Sequence, residues 1–433
     1  MAGVFGIVSK ENCVEDVFYG TFYLQHRGQE YCGVGLNNGK TLVCITRKGL
    51  IKPQFTKKTR NTLLAYSAIG VVSSDRQPVS ELSRSGGILV GFDGNIINYQ
   101  QLKDKLLNEG ISFGGYYNLE KITDTIVLSK IISSRLSFEE GIENLVSNIQ
   151  GDFAIVALSE HGVYATRGWG RKPLILGKKD GSYAVSSESN SFVNTGFEIV
   201  RDIEPGEIVL LDKEGFYTIK KLDLNPTKYG TFEWVYTAHP ASIIDGKSVV
   251  LVRMKIGRAL AKRYPIEADI VSGIPNSGRW HGIGYSEEAK IPYEEVFVRF
   301  DYSDRSFTLK EKEDRTEEGN KKLIVLEEII KGKKIVLVDD SIVRGTQTAN
   351  QTKKLREKGA KEVHTRIACP PLMCACKYGK TTRADEECIA RRMSIDEIKK
   401  TRGLDSLGYA TIEDLEEAIG FPREKLCLEC WGF

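Results

Sequence analysis

The sequence has no excess of charge of one sign. Its 61 basic and 58 acidic side chains leave a formal charge of +3 over 433 residues. A chain that grips nucleic acid or an anionic bilayer through bulk electrostatics carries a basic surplus, so neither partner is expected. Long apolar runs are missing too: no uncharged stretch approaches the ~20 residues that a membrane helix requires. The opening MAGVFGIVSK has a short apolar run without the basic lead of a secretory signal. The expectation is a soluble, cytoplasmic protein. Internal repeats and low-complexity tracts are absent. A disulfide framework is not expected either, because the cysteines number nine in a large chain without a leader. Their placement says more than their number. Cys13, Cys32 and Cys44 are scattered near the start, whereas Cys369, Cys374, Cys376, Cys388, Cys427 and Cys430 all lie beyond residue 368. Clustering of this kind in a reducing compartment favours metal or cluster ligation.

What is present is a chain with 41% hydrophobic residues, enough for roughly two or three packed domains. The first part reads as short apolar strands punctuated by turns: VFGIVS (4–9), TLVCIT (41–46), GILVGFDGN (87–95), FAIVAL (153–158) and YAVSS (183–187). Helical stretches at 99–110 and 124–136 lie between them, and DIEPGEIVLLD (202–212) reads as a closing strand pair. Strands grouped with a few helices predict a layered α+β domain. After the linker LDLNPTKYG (222–230) the rhythm changes, so the chain divides into 1–225 and 226–433. Helices at 247–265, 283–292 and 348–360 now alternate with Val/Ile-rich strands at 268–275 and 362–369 and a strand and turn over 333–345. That alternation predicts a mostly parallel α/β sheet. The charged stretch 303–322 reads as a mobile surface loop.

The most specific segment is IVLVDDSIVRGTQT (335–348), an apolar strand that ends in Asp339 and Asp340 and turns into a helix. Open α/β sheets bind ligands beyond the carboxyl ends of their strands. Backbone N–H groups at the helix start, with Thr346 and Thr348, make an anion pocket suited to a 5′-phosphate. Asp339 and Asp340 can accept hydrogen bonds from ribose hydroxyls and help to hold Mg²⁺. The plainer alternative is a strand end with an Asp cap and no ligand.

VLVDDSIVRGT is similar to the phosphoribosylpyrophosphate (PRPP) signature of type I phosphoribosyltransferases, in the form carried by glutamine PRPP amidotransferases. LQHRGQE (24–30), DGNIIN (93–98), GRKPLILG (170–177), SSES (186–189) and RDIEPGEIVLLD (201–212) resemble that family's glutaminase domain. EWVYTAHPAS (233–242), SGIPNSG (272–278) and REKGAKEVHTRIACPP (356–371) resemble its synthetase domain. The resemblance implies an Ntn-hydrolase-like layered (αββα) domain over 1–225 and an α/β type I phosphoribosyltransferase domain over 226–433. It implies attack of ammonia on C1 of Mg–PRPP to give 5-phosphoribosylamine for purine synthesis. It also implies PRPP contacts from Ser277, Asp339, Asp340, Ser341, Arg344, Gly345, Thr346 and Thr348, with Mg²⁺ held at Asp339 and Asp340. Three departures stand in this half: Gly278 replaces a small hydroxyl, Asp301 replaces a basic residue of the mobile loop, and Gly319-Asn320-Lys321-Lys322-Leu323 replaces a basic Val-Arg-x-Lys-Leu stretch.

The front half departs further. Family members begin Met-Cys-Gly, and the exposed cysteine is the glutamine nucleophile. Here the start reads Met1-Ala2-Gly3, and a methyl group cannot attack. Ser73 stands where the family places the arginine for the glutamine carboxylate, and Asp93 replaces the asparagine of the oxyanion hole. Asp124, aligned with the acid that holds the glutamine amine, remains. The expectation is a glutaminase fold without glutaminase chemistry, serving as scaffold or as a docking surface for an active homologous subunit. Cys376, Cys427 and Cys430 resemble three of the four iron–sulfur ligands of one family subgroup; Gly230 stands at the fourth. Cys374 is the expected replacement for a [4Fe–4S] cluster, with Cys369 and Cys388 as alternatives. Zn²⁺ on the same thiolates, or free thiols, are the other readings. The chain is thus expected to be an ammonia-dependent transferase in a homo- or hetero-oligomer. The alternatives are a non-catalytic regulatory partner of an active homologue, or a redox or iron sensor.

Overall fold

The structure is a computed structural model that describes residues 1–84, 86–113, 122–300, 323–379 and 384–433. The charged loop expected over 303–322, and Asp301, lie outside these residues. Among the described residues no helix is long and apolar enough to cross a membrane. The chain forms two compact units.

The first unit comprises Met1–Gly230, Ala241–Gly246 and Lys377–Lys380. Its strands form two antiparallel sheets. One runs in the order Glu198–Asp202, Ile175–Lys179, Ser182–Ser186, Gly3–Val8, Ser67–Ser73, Tyr31–Asn37 and Leu42–Lys48. The other runs Phe216–Lys221, Glu207–Leu211, Gly162–Arg167, Gly151–Ser159, Gly86–Ile96 and Val79–Ser83. The sheets face each other across a core that includes Val4, Ile69, Val71, Leu89, Val156 and Val185. The outer face of the second sheet carries Leu102, Leu106, Ile126, Phe138 and Leu145, from the helices Tyr99–Asn108, Asp124–Ser133 and Phe138–Asn148. The helix Val14–Phe22 packs on the first sheet, so the layers are helix, sheet, sheet, helix. This double cover explains why central strands such as Gly3–Val8 are buried along their whole length and read as unbroken apolar runs.

One expectation fails. The strands either side of Glu204-Pro205-Gly206 do not pair with each other. Glu198–Asp202 joins Ile175–Lys179 in the first sheet, while Glu207–Leu211 pairs with Gly162–Arg167 and Phe216–Lys221 in the second. The turn carries the chain from one layer to the other.

The second unit comprises Thr231–Pro240, Lys247–Cys376 and Thr381–Phe433. Its four-stranded sheet is parallel throughout, in the order Ile270–Gly273, Lys334–Asp339, Glu362–Ile367 and Ser406–Tyr409. The helix after the first strand starts at Arg279, earlier than the sequence suggests, and ends at Ala289. Both Ile270–Gly273 and Lys334–Asp339 therefore release their loops at the same sheet edge, where open α/β folds bind ligands.

Gly278 closes the first of these loops. A β-carbon there would sit 2.1 Å from the Val338 carbonyl oxygen and 2.7 Å from the Ile274 nitrogen. The missing hydroxyl is thus a packing requirement of this loop, which lies directly on the neighbouring strand. Gly278→Ser is expected to cost about 1–3 kcal/mol, read as a lower urea midpoint. An unchanged midpoint would show that the loop has room to spare.

Candidate functional site

In the first unit the chain places Ala2, ahead of the strand Gly3–Val8, beside Asp93 on the strand Gly86–Ile96. The Ala2 N–H donates to Asp93 Oδ1 at 2.9 Å. Arg27, from the turn after the helix Val14–Phe22, ties the site together. Its Nε donates to the Ala2 carbonyl at 3.0 Å, its Nη2 to Asp93 Oδ2 at 3.1 Å and its Nη1 to Glu188 Oε1 at 2.6 Å. Glu188 also meets the His26 ring at 2.7 Å and accepts from the Ser242 hydroxyl at 2.7 Å. Lys172 Nζ stands 4.0 Å from Asp93 Oδ1. The side chains of Arg27, Asp93 and Glu188 are closed off from solvent.

Burial alone would push the Asp93 carboxyl up. The Lys172 ammonium and Arg27 guanidinium, with the Ala2 N–H, outweigh it and hold the group below its ordinary 3.8. Glu188 behaves alike: burial raises it, and His26 and Arg27 bring it well below the usual carboxylate range. Asp93 is therefore an ionised anion in a dry pocket, and a carboxylate has no proton to offer a developing oxyanion. Ser73, at the buried end of Ser67–Ser73, donates its hydroxyl to the Asp75 carbonyl. Asp75 Oδ2 accepts from the Thr125 hydroxyl at 2.9 Å, and Asp124 Oδ1 accepts from the Thr125 N–H at 3.0 Å. Ser73 brings no cation to this pocket. His26, Arg27 and Glu188 escaped individual notice in the sequence, although LQHRGQE and SSES carry them.

In the second unit, Ser277 reaches across to the neighbouring strand and donates to Asp339 Oδ1 at 3.1 Å. The Asp340 N–H donates to the same oxygen at 2.9 Å, and the Ser341 hydroxyl donates to Asp340 Oδ2 at 2.5 Å. Burial, then the Asp340 charge, push the Asp339 carboxyl well above its ordinary value. Neither carboxylate has a lysine or arginine partner among the described residues. Two adjacent, uncompensated oxygen donors suit a hard divalent cation such as Mg²⁺. Gly345 follows in the left-handed region at φ +70° and caps the helix Thr346–Glu357 without a side-chain cap, and the first-turn N–H groups of such a helix lack intrahelical acceptors and suit an anion. Thr346 and the buried Thr348 lie in that first turn. Arg344 Nη2 is 2.5 Å from Glu387 Oε1.

The Met373 and Cys374 N–H groups donate to the Cys430 carbonyl at 2.9 and 3.1 Å, laying the tail on this segment. Burial, followed by the neighbouring Cys376, Cys427 and Cys369, pushes the Cys430 thiol well up. Cys388 is pushed up to about 11 by burial first, with Asp385 and Cys374 adding to it. Cys374 thus neighbours Cys388 as well as the Cys430 backbone, and Cys369 is among the thiols around Cys430. Among the described residues, no three His, Cys, Asp or Glu side chains gather closely enough to hold a metal ion.

The Asp93 network generates a test. Asp93→Ala leaves Arg27 and Lys172 short of a buried counter-charge and is expected to cost about 3–5 kcal/mol at pH 7. Because the folded-state pKa is depressed, Asp93 contributes this stability above 3.8 and loses it as the pH falls through the folded value. Urea melts should therefore show the wild type and variant converging in acid. A difference that stays constant from neutral pH down to pH ~3, well below the ordinary carboxylate range, would contradict an ionised Asp93.

Residues 65–194 match a family model described as a glutamine amidotransferase domain. The chain is 36% identical to the amidophosphoribosyltransferase of Methanocaldococcus jannaschii, over 99% of this chain and 96% of that protein. It is 34% identical to the Bacillus subtilis amidophosphoribosyltransferase, over 99% and 92%. The solved B. subtilis glutamine PRPP amidotransferase, complexed with ADP and GMP, superposes with a TM-score of 0.90 at 33% identity, covering 99% of this chain and 96% of that one. The fold is accordingly an Ntn glutaminase domain followed by a phosphoribosyltransferase domain, and the chain belongs to the amidophosphoribosyltransferase family of purine biosynthesis.

Proposed function

We propose that this chain makes 5-phosphoribosylamine from PRPP and free ammonia, in the cytoplasm, with residues 1–225 a chemically silent glutaminase-like domain and residues 226–433 the transferase. The observation that carries the reading is the contrast between the two sites. Around Ala2 the buried charges are matched, and the anion Asp93 occupies the position of an oxyanion donor. At Asp339 and Asp340 two adjacent carboxyls meet no lysine or arginine among the described residues, a few residues ahead of the helix Thr346–Glu357.

The chemistry follows from those groups. The phosphate cradle of Ser341, Gly345, Thr346 and Thr348 holds the 5′-phosphate and so fixes the ribose. Asp339 and Asp340 accept from its hydroxyls, and Ser277 with its loop takes the pyrophosphate. Mg²⁺, when bound, neutralises pyrophosphate charge, and Asp339 and Asp340 are the residues that would hold it. Ammonia gives its lone pair to C1 as the C1–O bond breaks. Pyrophosphate leaves with that bond's electrons, and the ammonium product loses a proton to solvent. Fixing the sugar by its phosphate contributes by orientation. No step runs through the C-terminal thiols.

The test is pyrophosphate release by the purified full-length chain with Mg²⁺ and PRPP. Ammonium chloride should support release, while glutamine should give background release and no glutamate. Glutamate production would overturn the silent front half. No release with either nitrogen source would overturn the transferase reading, and activity seen only as a changed rate of an added active homologue would make the chain a regulatory partner.

A further inference from the structure

Arg402 lies far along the chain from the phosphate cradle, yet the fold sets it against the cradle's turn. It is the C-cap of the helix Ile395–Thr401. A β-carbon built on Gly345 would lie 2.8 Å from Arg402 Nε and 3.2 Å from Ile389 Cδ1. The Ile389 N–H donates to the Val343 carbonyl at 2.8 Å, so this segment is fastened to the turn by its backbone. The guanidinium therefore rests beside the residue that caps the helix Thr346–Glu357.

Its own hydrogen bonding is incomplete. Arg402 Nε is buried and has no partner. The nearby anions are engaged elsewhere: Glu387 with Arg344, Asp385 with Arg391, and Asp405 with Arg356. Among the described residues no carboxylate pairs with Arg402. A buried donor of this kind is rarely left without an acceptor in a finished site, and a guanidinium fork matches a phosphate in charge and in shape.

We propose that Arg402 binds the 5′-phosphate of the phosphoribosyl ligand, supplying the cationic contact that the sequence pointed to in Arg344. The proposal rests on the cradle reading above and adds a residue to it. Arg344 holds Glu387 and so fastens the segment; Arg402 meets the ligand. The ligand class is a ribose 5-phosphomonoester, whether PRPP or a nucleotide seated in the same turn.

The test uses ribose 5-phosphate, titrated calorimetrically into the full-length protein at low and at high salt. Arg402→Gln should weaken binding about tenfold or more at low salt, and the gap to wild type should narrow at high salt because a charge contact is screened. Arg402→Lys should keep part of the affinity, and Arg344→Gln should cost less than Arg402→Gln. Unchanged affinity in Arg402→Gln, or a loss identical at both salts, would overturn the proposal and leave Arg402 a packing residue. Should Arg402→Gln fail to fold, Arg402→Lys carries the same comparison, with wild-type affinity at both salts as the contrary result. A wild-type protein that binds neither ribose 5-phosphate nor PRPP would remove the cradle itself, an outcome distinct from the failure of Arg402 alone.

Discussion

The Asp93 carboxylate sits in a dry pocket between two sheets, where an isolated charge would be costly to bury. It is held there by Arg27 on one oxygen, by the Ala2 N–H on the other and by Lys172 nearby. Arg27 also grips the Ala2 carbonyl and Glu188, so one guanidinium fastens the start of the chain, the strand Gly86–Ile96 and the turn after Ser182–Ser186. Such a network is strong only when every member is satisfied. That condition shapes the site, where Arg27, Asp93 and Glu188 are committed to each other.

The second unit shows the opposite arrangement. Asp339 and Asp340 share a strand end without a basic partner among the described residues, and burial adds to their mutual repulsion. The turn after them leads into the helix Thr346–Glu357, with the Arg402 guanidinium beside Gly345. Left alone, these groups are a liability. The pairing around Asp93, and its absence at Asp339 and Asp340 among the described residues, are the contrast on which the proposed division of labour rests.

Much of this was legible in the sequence where the physics is local. The apolar runs at 4–9, 87–95 and 153–158 are the strands Gly3–Val8, Gly86–Ile96 and Gly151–Ser159, because strands covered on both faces need no alternation. The turn from Asp339 to Thr346 could be placed at a strand end because its acids, glycine and threonines follow an unbroken run of Ile, Val and Leu. What depends on distant partners was hidden. The glycine-rich Tyr31–Asn37 has weak strand propensity, and its place between Ser67–Ser73 and Leu42–Lys48 comes from packing alone. The crossing at Pro205 looked like a hairpin because nothing local says which sheet each strand joins. Arg344 adjoins the turn in sequence and pairs with Glu387, whereas the approach of Arg402 to Gly345 depends on the fold.

The account stands on Asp93 being charged. A neutral aspartic acid in the same place would keep a proton and could donate a hydrogen bond to an oxyanion, which would restore one part of glutaminase chemistry. Carbon-13 NMR of the side-chain carboxyls, with Asp93 assigned by its loss in Asp93→Asn, reads the charge directly. The account predicts a carboxylate signal at neutral pH that persists as the pH falls through the ordinary aspartate value of 3.8. A protonated Asp93 at neutral pH would contradict it.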